Sequence, residues 1–227
     1  TTSNSMTSKS MTSKAFELFN EGIDDIYQHL MVANYIKNQT TAVINCAYPN
    51  LLRDVIVKSV GNVDAYFSNV MFELLLDRQA IFSTKLTDKG DNRLHFSLKE
   101  LSEIVIDVRQ DRLYSNLTLR RIIDKKLKLL AFQNHSIPND LSRLFGVSAF
   151  WQLAQKHPLV HQVKGEHDVH KHYMQLTDRR NTVAHNHDRN LIAYGTKNTV
   201  SREFINDGIL ITKIIVGTFE TEVVTQW

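Results

Sequence analysis

The chain has 227 residues, 42% of them hydrophobic and 9% aromatic, with a formal net charge of only +3. That length suits one domain, the apolar share excludes global disorder, and the charge is too small by itself to mark a nucleic-acid partner. A single cysteine, Cys46, excludes a disulfide framework and a cysteine-based zinc ribbon. It suits a reducing, cytoplasmic setting, in which Cys46 acts as a small buried hydrophobe. Eight glycines and three prolines are too few for the many tight turns of a β-sandwich or barrel.

Residues 1–14 are rich in Ser and Thr and repeat Met-Thr-Ser-Lys at Met6 and Met11. They lack the apolar stretch of a secretory signal and read as a disordered leader or an added tail. A single domain is expected over residues 15–227. Ala15 to Lys37 places Phe16, Phe19, Ile23, Ile26, Leu30 and Ala33 at three-four spacing, the stripe of an amphipathic helix. A second long helix is predicted to open after Pro49 and to run through Leu52, Val55, Val60, Val63, Phe67, Val70 and Leu74 toward Phe82. Residues 84–92 read as an exposed loop around Gly90. Ser97 and Glu100 form a capping box for a helix reaching about Val108.

Leu117 to Phe132 is again amphipathic. Residues 137–140 break that pattern and cap a short helix over Leu141 to Phe145. Ser148 to Lys156 is another short helix, ended near Pro158. Gly165 to Asn186 carries a stripe of Val169, Tyr173, Leu176 and Val183. After a loop around Gly195, Ser201 to Val224 forms the last long helix. No stretch alternates with period two for long, and no apolar run reaches the roughly 20 residues of a membrane span. The expectation is an all-α antiparallel bundle of six to eight helices, without a membrane partner.

The sharpest chemical pattern is Asp178-Arg179-Arg180-Asn181-Thr182-Val183-Ala184-His185. Asn181 and His185 are four apart and share a helix face. Arg180 lies about 100° from Asn181 and about 140° from His185, an offset that a long guanidinium stem can bridge. Arginine supplies a fixed charge and a fork for phosphate, and histidine moves protons near neutral pH. Attack by an RNA 2′-hydroxyl on its own phosphate needs both functions.

With Arg-Asn-x-x-x-His in this place, the sequence resembles the HEPN superfamily of all-α ribonucleases, whose hallmark is Arg-x(4–6)-His with a polar residue after the Arg. The helix through Leu51-Leu52-Arg53-Asp54 and Val63-Asp64-Ala65-Tyr66-Phe67 is similar to the long second helix of the RiboL-PSP-type branch. The resemblance implies Arg180, Asn181 and His185 as catalytic residues of a metal-independent endoribonuclease without a cofactor. It further implies a homodimer whose two motifs build one composite site, and a prokaryotic toxin or antiviral-defence effector acting on tRNA, mRNA or phage RNA, with an antitoxin or sensor protein as a further partner. The alternative within the family is a catalytically inactive dimerisation, regulatory or RNA-binding module. Outside the family, Arg180 ends a packed face and His185 sits favourably at a helix C-terminus.

Arg179 and His187, beside the motif, and Arg121 and Lys125, on the basic stripe of the Leu117 helix, are the candidate nucleic-acid contacts. Such stripes are more often plain solvated faces. Seven of ten histidines lie between His157 and His187. The spacings His157/His161 and His167/His170 could in principle hold zinc, but Pro158 disrupts the first and no His-Glu-x-x-His pattern follows. A solvated or RNA-facing surface is the favoured reading, and no metal site is expected.

Overall fold

Ser13 opens the first helix, and its side chain explains why. Its hydroxyl accepts from the Phe16 amide at 3.0 Å, satisfying one of the orphan donors of the first turn. The computed structural model describes residues 12–38, 42–76, 112–127, 134–165, 167–186 and 198–226. Among the described residues the chain forms seven α-helices and no strand. They are α1 (Lys14–Lys37), α2 (Ala42–Leu76), α3 (Arg112–Leu127), α4 (Ile137–Leu144), α5 (Phe150–Gln155), α6 (Val169–Asn186) and α7 (Arg202–Glu222). Two 3₁₀ turns, Pro158–Gln162 and Val224–Gln226, complete the inventory.

α1 and α2 lie antiparallel, as their paired contacts run in opposite directions. The Ala15 amide donates to Glu73 Oε1 at 2.7 Å, Asn62 Nδ2 donates to the Phe19 carbonyl at 2.8 Å, and Lys58 meets His29. The Asn62 side chain packs over Gly22, where a Cβ would fall 2.4 Å from Asn62 Oδ1. α7 is antiparallel to α1 in the same way: Ser13 meets Glu220, Tyr27 meets Lys213, and Asn34 meets Arg202. The core between these three helices is aromatic. Tyr66 meets Phe19, Phe67 and Phe219 edge-on, and Phe67 and Phe219 stand at right angles with centroids 5.0 Å apart. Edge-to-face pairs of this kind add to the burial of large apolar area. α6 packs on α2 and α7, and the short α4 and α5 close the end of the bundle.

The all-α expectation holds, and several boundaries move. Ser13 is buried, so the folded unit begins before residue 15. α2 begins at Ala42 and carries Pro49 inside it. The proline removes the amide that would bond the Asn45 carbonyl, and the packed Leu52, Val55 and Ile56 beyond it compensate. Pro138 stands in the first turn of α4, where its missing amide has no intrahelical partner anyway, so the helix starts at Ile137 rather than at Leu141. Asp168 moves the start of α6 from the expected Gly165 to Val169: its Oδ1 accepts the Lys171 amide at 2.9 Å. The Ser97–Glu100 capping box, the Gly90 loop, the leader before residue 12 and the Cys46 side chain lie outside the described residues. No described helix is long and apolar enough to cross a membrane.

Candidate functional site

The buried stripe of α6 runs Val169, Tyr173, Leu176, each at most 1% exposed, and meets the surface at Arg180. Continuation of that stripe explains the state of the guanidinium. Arg180 is half-buried, its Nε is enclosed by protein with no hydrogen-bond acceptor among the described residues, and its Nη1 donates to Asn181 Oδ1 at 3.0 Å. The long stem thus bridges the 100° offset between positions 180 and 181, as the sequence geometry anticipates. Among the described residues no carboxylate pairs with Arg180. Asn181, the adjacent residue, and His185, about one turn further on, are exposed.

A buried N–H with no acceptor costs roughly 1–3 kcal/mol and calls for an explanation. The Arg180–Asn181 bond fixes the guanidinium plane while leaving other N–H groups of the fork and the Asn181 amide for an incoming acceptor. Seven residues earlier on the same stripe, the Tyr173 hydroxyl is also buried, with no hydrogen bond among the described residues. Burial, and then the Asp64 carboxylate on α2, push its pKa upward, so it stays protonated at neutral pH.

The remaining sequence candidates are placed differently. Arg179 turns away from Arg180: its Nη2 donates to the carbonyls of Asn198 at 3.2 Å and Thr199 at 3.1 Å. It also lines an open cavity of about 320 Å³ with Thr199, Val200, Ser201 and Phe204. Arg121 and Lys125 are exposed on α3, which packs on α2 through the face bearing Ile122 and Ile123. His187 lies outside the described residues.

Sequence reasoning missed the partner of Arg179. Arg53, on α2 and only 7% exposed, donates from Nη2 to the same Asn198 carbonyl at 2.7 Å and from Nη1 to Asn50 Oδ1 at 3.3 Å. Two guanidinium groups, from α2 and α6, thus hold the segment that enters α7. The only signal was an arginine on the buried face of α2, three positions from Asn50.

The histidines do not form one solvated surface. His161, His167 and His185 are exposed, but His172 is 2% exposed and stacks on Phe204. His157 caps the first 3₁₀ turn, its Nδ1 accepting from the Leu159 amide at 3.2 Å. Burial holds its pKa below the usual histidine value. His170 stacks on Trp151 with centroids 4.3 Å apart, and its Nε2 lies 3.3 Å from His135 Nδ1. The apolar stripe of α6 and the aromatic surface of α5 and α7 draw these rings inward. Among the described residues no group of three or more His, Cys, Asp or Glu side chains converges as a metal cluster. Comparisons with protein-family models, with curated proteins and with solved structures give no match to this chain, so the reading of the motif rests on its residues and their geometry.

Proposed function

We propose that the chain is a HEPN-type endoribonuclease that cleaves RNA without a metal ion, with Arg180, Asn181 and His185 at the reacting phosphate. The observation that carries the reading is the half-buried Arg180, whose fork is set against Asn181 at 3.0 Å and whose Nε has no acceptor among the described residues, one turn before an exposed histidine. A structural arginine at the end of a packed stripe is ordinarily satisfied by a carboxylate or carbonyls, as Arg53 and Arg179 are by the Asn198 carbonyl.

In the proposed reaction the substrate's 2′-oxygen attacks the adjacent phosphorus and the 5′-oxygen leaves. A 2′,3′-cyclic phosphate and a 5′-hydroxyl result. Arg180 stabilises the charge growing on the non-bridging oxygens. Asn181 fixes the Arg180 fork and donates its amide to the phosphate. His185 takes the 2′-hydroxyl proton or returns one to the leaving oxygen. One motif supplies one histidine, and two proton transfers are needed, so a second copy of α6 across a two-fold axis completes the site. The biological setting proposed is a toxin or antiviral effector acting on cellular or phage RNA.

The test is incubation of the protein with tRNA and total RNA in excess EDTA, beside Arg180→Ala and His185→Ala. Cleavage by the wild type, reduced at least about 100-fold in both variants, is expected. Undiminished cleavage by both variants refutes the site. A wild type that dimerises and binds RNA without cutting it points instead to an inactive HEPN-like module.

A further inference from the structure

We propose that the open cavity at the start of α7 is the subsite for one unpaired nucleotide of the RNA strand, its base stacking on Phe204 and its phosphate meeting Arg179. The inference rests on the reading of Arg180 as a residue at an RNA phosphate, and it says where the neighbouring nucleotide goes. Arg179 of α6, Thr199, Val200 and Ser201 before α7, and Phe204 in the first turn of α7 line the cavity. Its volume of about 320 Å³ lies at the small end of the range of roughly 300–1,000 Å³ for ligand pockets, which suits one base and part of its sugar.

The lining offers the two contacts that single-stranded RNA needs, an aromatic face and a fixed positive charge. Phe204 is half-buried, and His172, itself 2% exposed, stacks on it with centroids 5.7 Å apart and an interplanar angle of 18°. With the buried imidazole parallel to it on the inner side, the phenyl ring is held rigidly and its opposite face is left for a base. Arg179 is pinned at the cavity wall by its Nη2 bonds to the Asn198 and Thr199 carbonyls, and a guanidinium has five N–H donors to share between backbone and phosphate. The Thr199 and Ser201 hydroxyls can serve the sugar or the base edge. Among the described residues no carboxylate lines the cavity, so nothing in its wall repels an anionic strand.

The cavity is also placed for the same strand. Arg179 and Arg180 are consecutive on α6, and their side chains leave the helix about 100° apart. A strand whose scissile phosphate lies at Arg180 therefore brings an adjacent nucleotide to Arg179. A base held in a duplex has no free face for Phe204, so the subsite selects unpaired RNA.

Binding, measured apart from cleavage, tests the subsite. The full chain carrying His185→Ala, which leaves RNA intact, is titrated against a labelled single-stranded oligoribonucleotide in EDTA and followed by fluorescence anisotropy. Phe204→Leu should weaken Kd by about 5–100-fold without changing the salt dependence, and Phe204→Tyr, which keeps the ring, should restore it. Arg179→Gln should instead lower the slope of log affinity against log salt by about 0.7, the mark of one lost phosphate contact on a single strand. Tyr35→Leu, which removes an exposed ring on α1, should leave Kd unchanged. An abasic nucleotide walked along the strand should cost the parent chain as much at one position as Phe204→Leu does, and should cost the Phe204→Leu chain nothing more there. Undiminished binding by a folded Phe204→Leu, or an abasic loss that persists in full in it, would overturn the subsite while leaving cleavage by the wild type, and so the ribonuclease reading, intact. Matched losses of ring and base in a protein whose wild type cuts no RNA would uphold the subsite and overturn the nuclease.

Discussion

Glu220 shows how much one buried side chain organises. It is 5% exposed, and its two oxygens accept from the Ser13 amide at 2.6 Å, the Ser13 hydroxyl at 2.9 Å and the Tyr66 hydroxyl at 2.9 Å. A carboxylate this deep is tolerable only because each donor faces it. Burial first, and then Glu220, push the Tyr66 pKa well up, so the phenol remains a donor throughout the useful pH range. Glu220→Ala leaves three donors buried together and should lower unfolding free energy by about 3–5 kcal/mol, whereas Tyr66→Phe removes one charge-assisted bond and should cost about 1–3 kcal/mol. Urea unfolding followed by circular dichroism reads both, and a Glu220→Ala variant as stable as the wild type would contradict this account.

His157 and His170 make a separate residue-scale prediction. Both have folded-state pKa values lowered by burial, so below the ordinary histidine value the unfolded chain binds more protons than the folded one. Their contribution to stability is complete above about pH 6.5 and declines as the pH falls from there toward the lowered folded values. In metal-free buffer the Tm should therefore fall between neutral pH and pH 5. Replacing His157 and His170 together with Gln should flatten that part of the profile. A decline of the same steepness in the double variant would rule these two groups out as its source.

At the scale of elements, long periodic helices were legible and irregular joints were not. α1 and α7 follow their apolar stripes to within a residue or two of the expected ends, because Ser13 and Ser201 cap them with side-chain oxygens. α2 defeated the proline rule, since tertiary packing outweighs a lost backbone bond inside a 35-residue helix. The Asn198 clamp joins Arg53 to Arg179 over 126 positions, and the His135–His170 pair spans 35. No local spacing can announce contacts of that kind. The Arg180–Asn181 bond, by contrast, lies between adjacent residues of one helix and is within reach of local spacing. The packing of α7 is testable directly. Phe219 is fully buried and meets Tyr66, Phe67 and Phe150, so Phe219→Ala should cost about 3–5 kcal/mol and lower the Tm by roughly 10 °C. A loss below about 1 kcal/mol would mean that the aromatic core is not formed as described.

For the whole molecule, the net charge of +3 constrains how RNA can be held. Overall attraction is weak, and Arg121 and Lys125 stand on α3 while the motif stands on α6. If two copies bring their α6 helices together, the basic groups around Arg180 are doubled at the seam. The proposed reaction therefore predicts a dimer at micromolar concentration, which sedimentation can weigh. It also predicts strongly salt-dependent RNA binding, as for any contact carried by a few phosphates. A monomeric mass in the concentration range where RNA is cut would remove the composite site.

The most direct measurement concerns the ends left on the RNA. Fragments produced in EDTA by the wild type should carry 2′,3′-cyclic phosphate and 5′-hydroxyl termini by mass spectrometry. A 2′-deoxy substitution at the scissile nucleotide should abolish the cut, and Arg180→Ala and His185→Ala should yield none of these fragments. Fragments with 5′-phosphate and 3′-hydroxyl ends, or cleavage that persists at the 2′-deoxy site, would contradict the account.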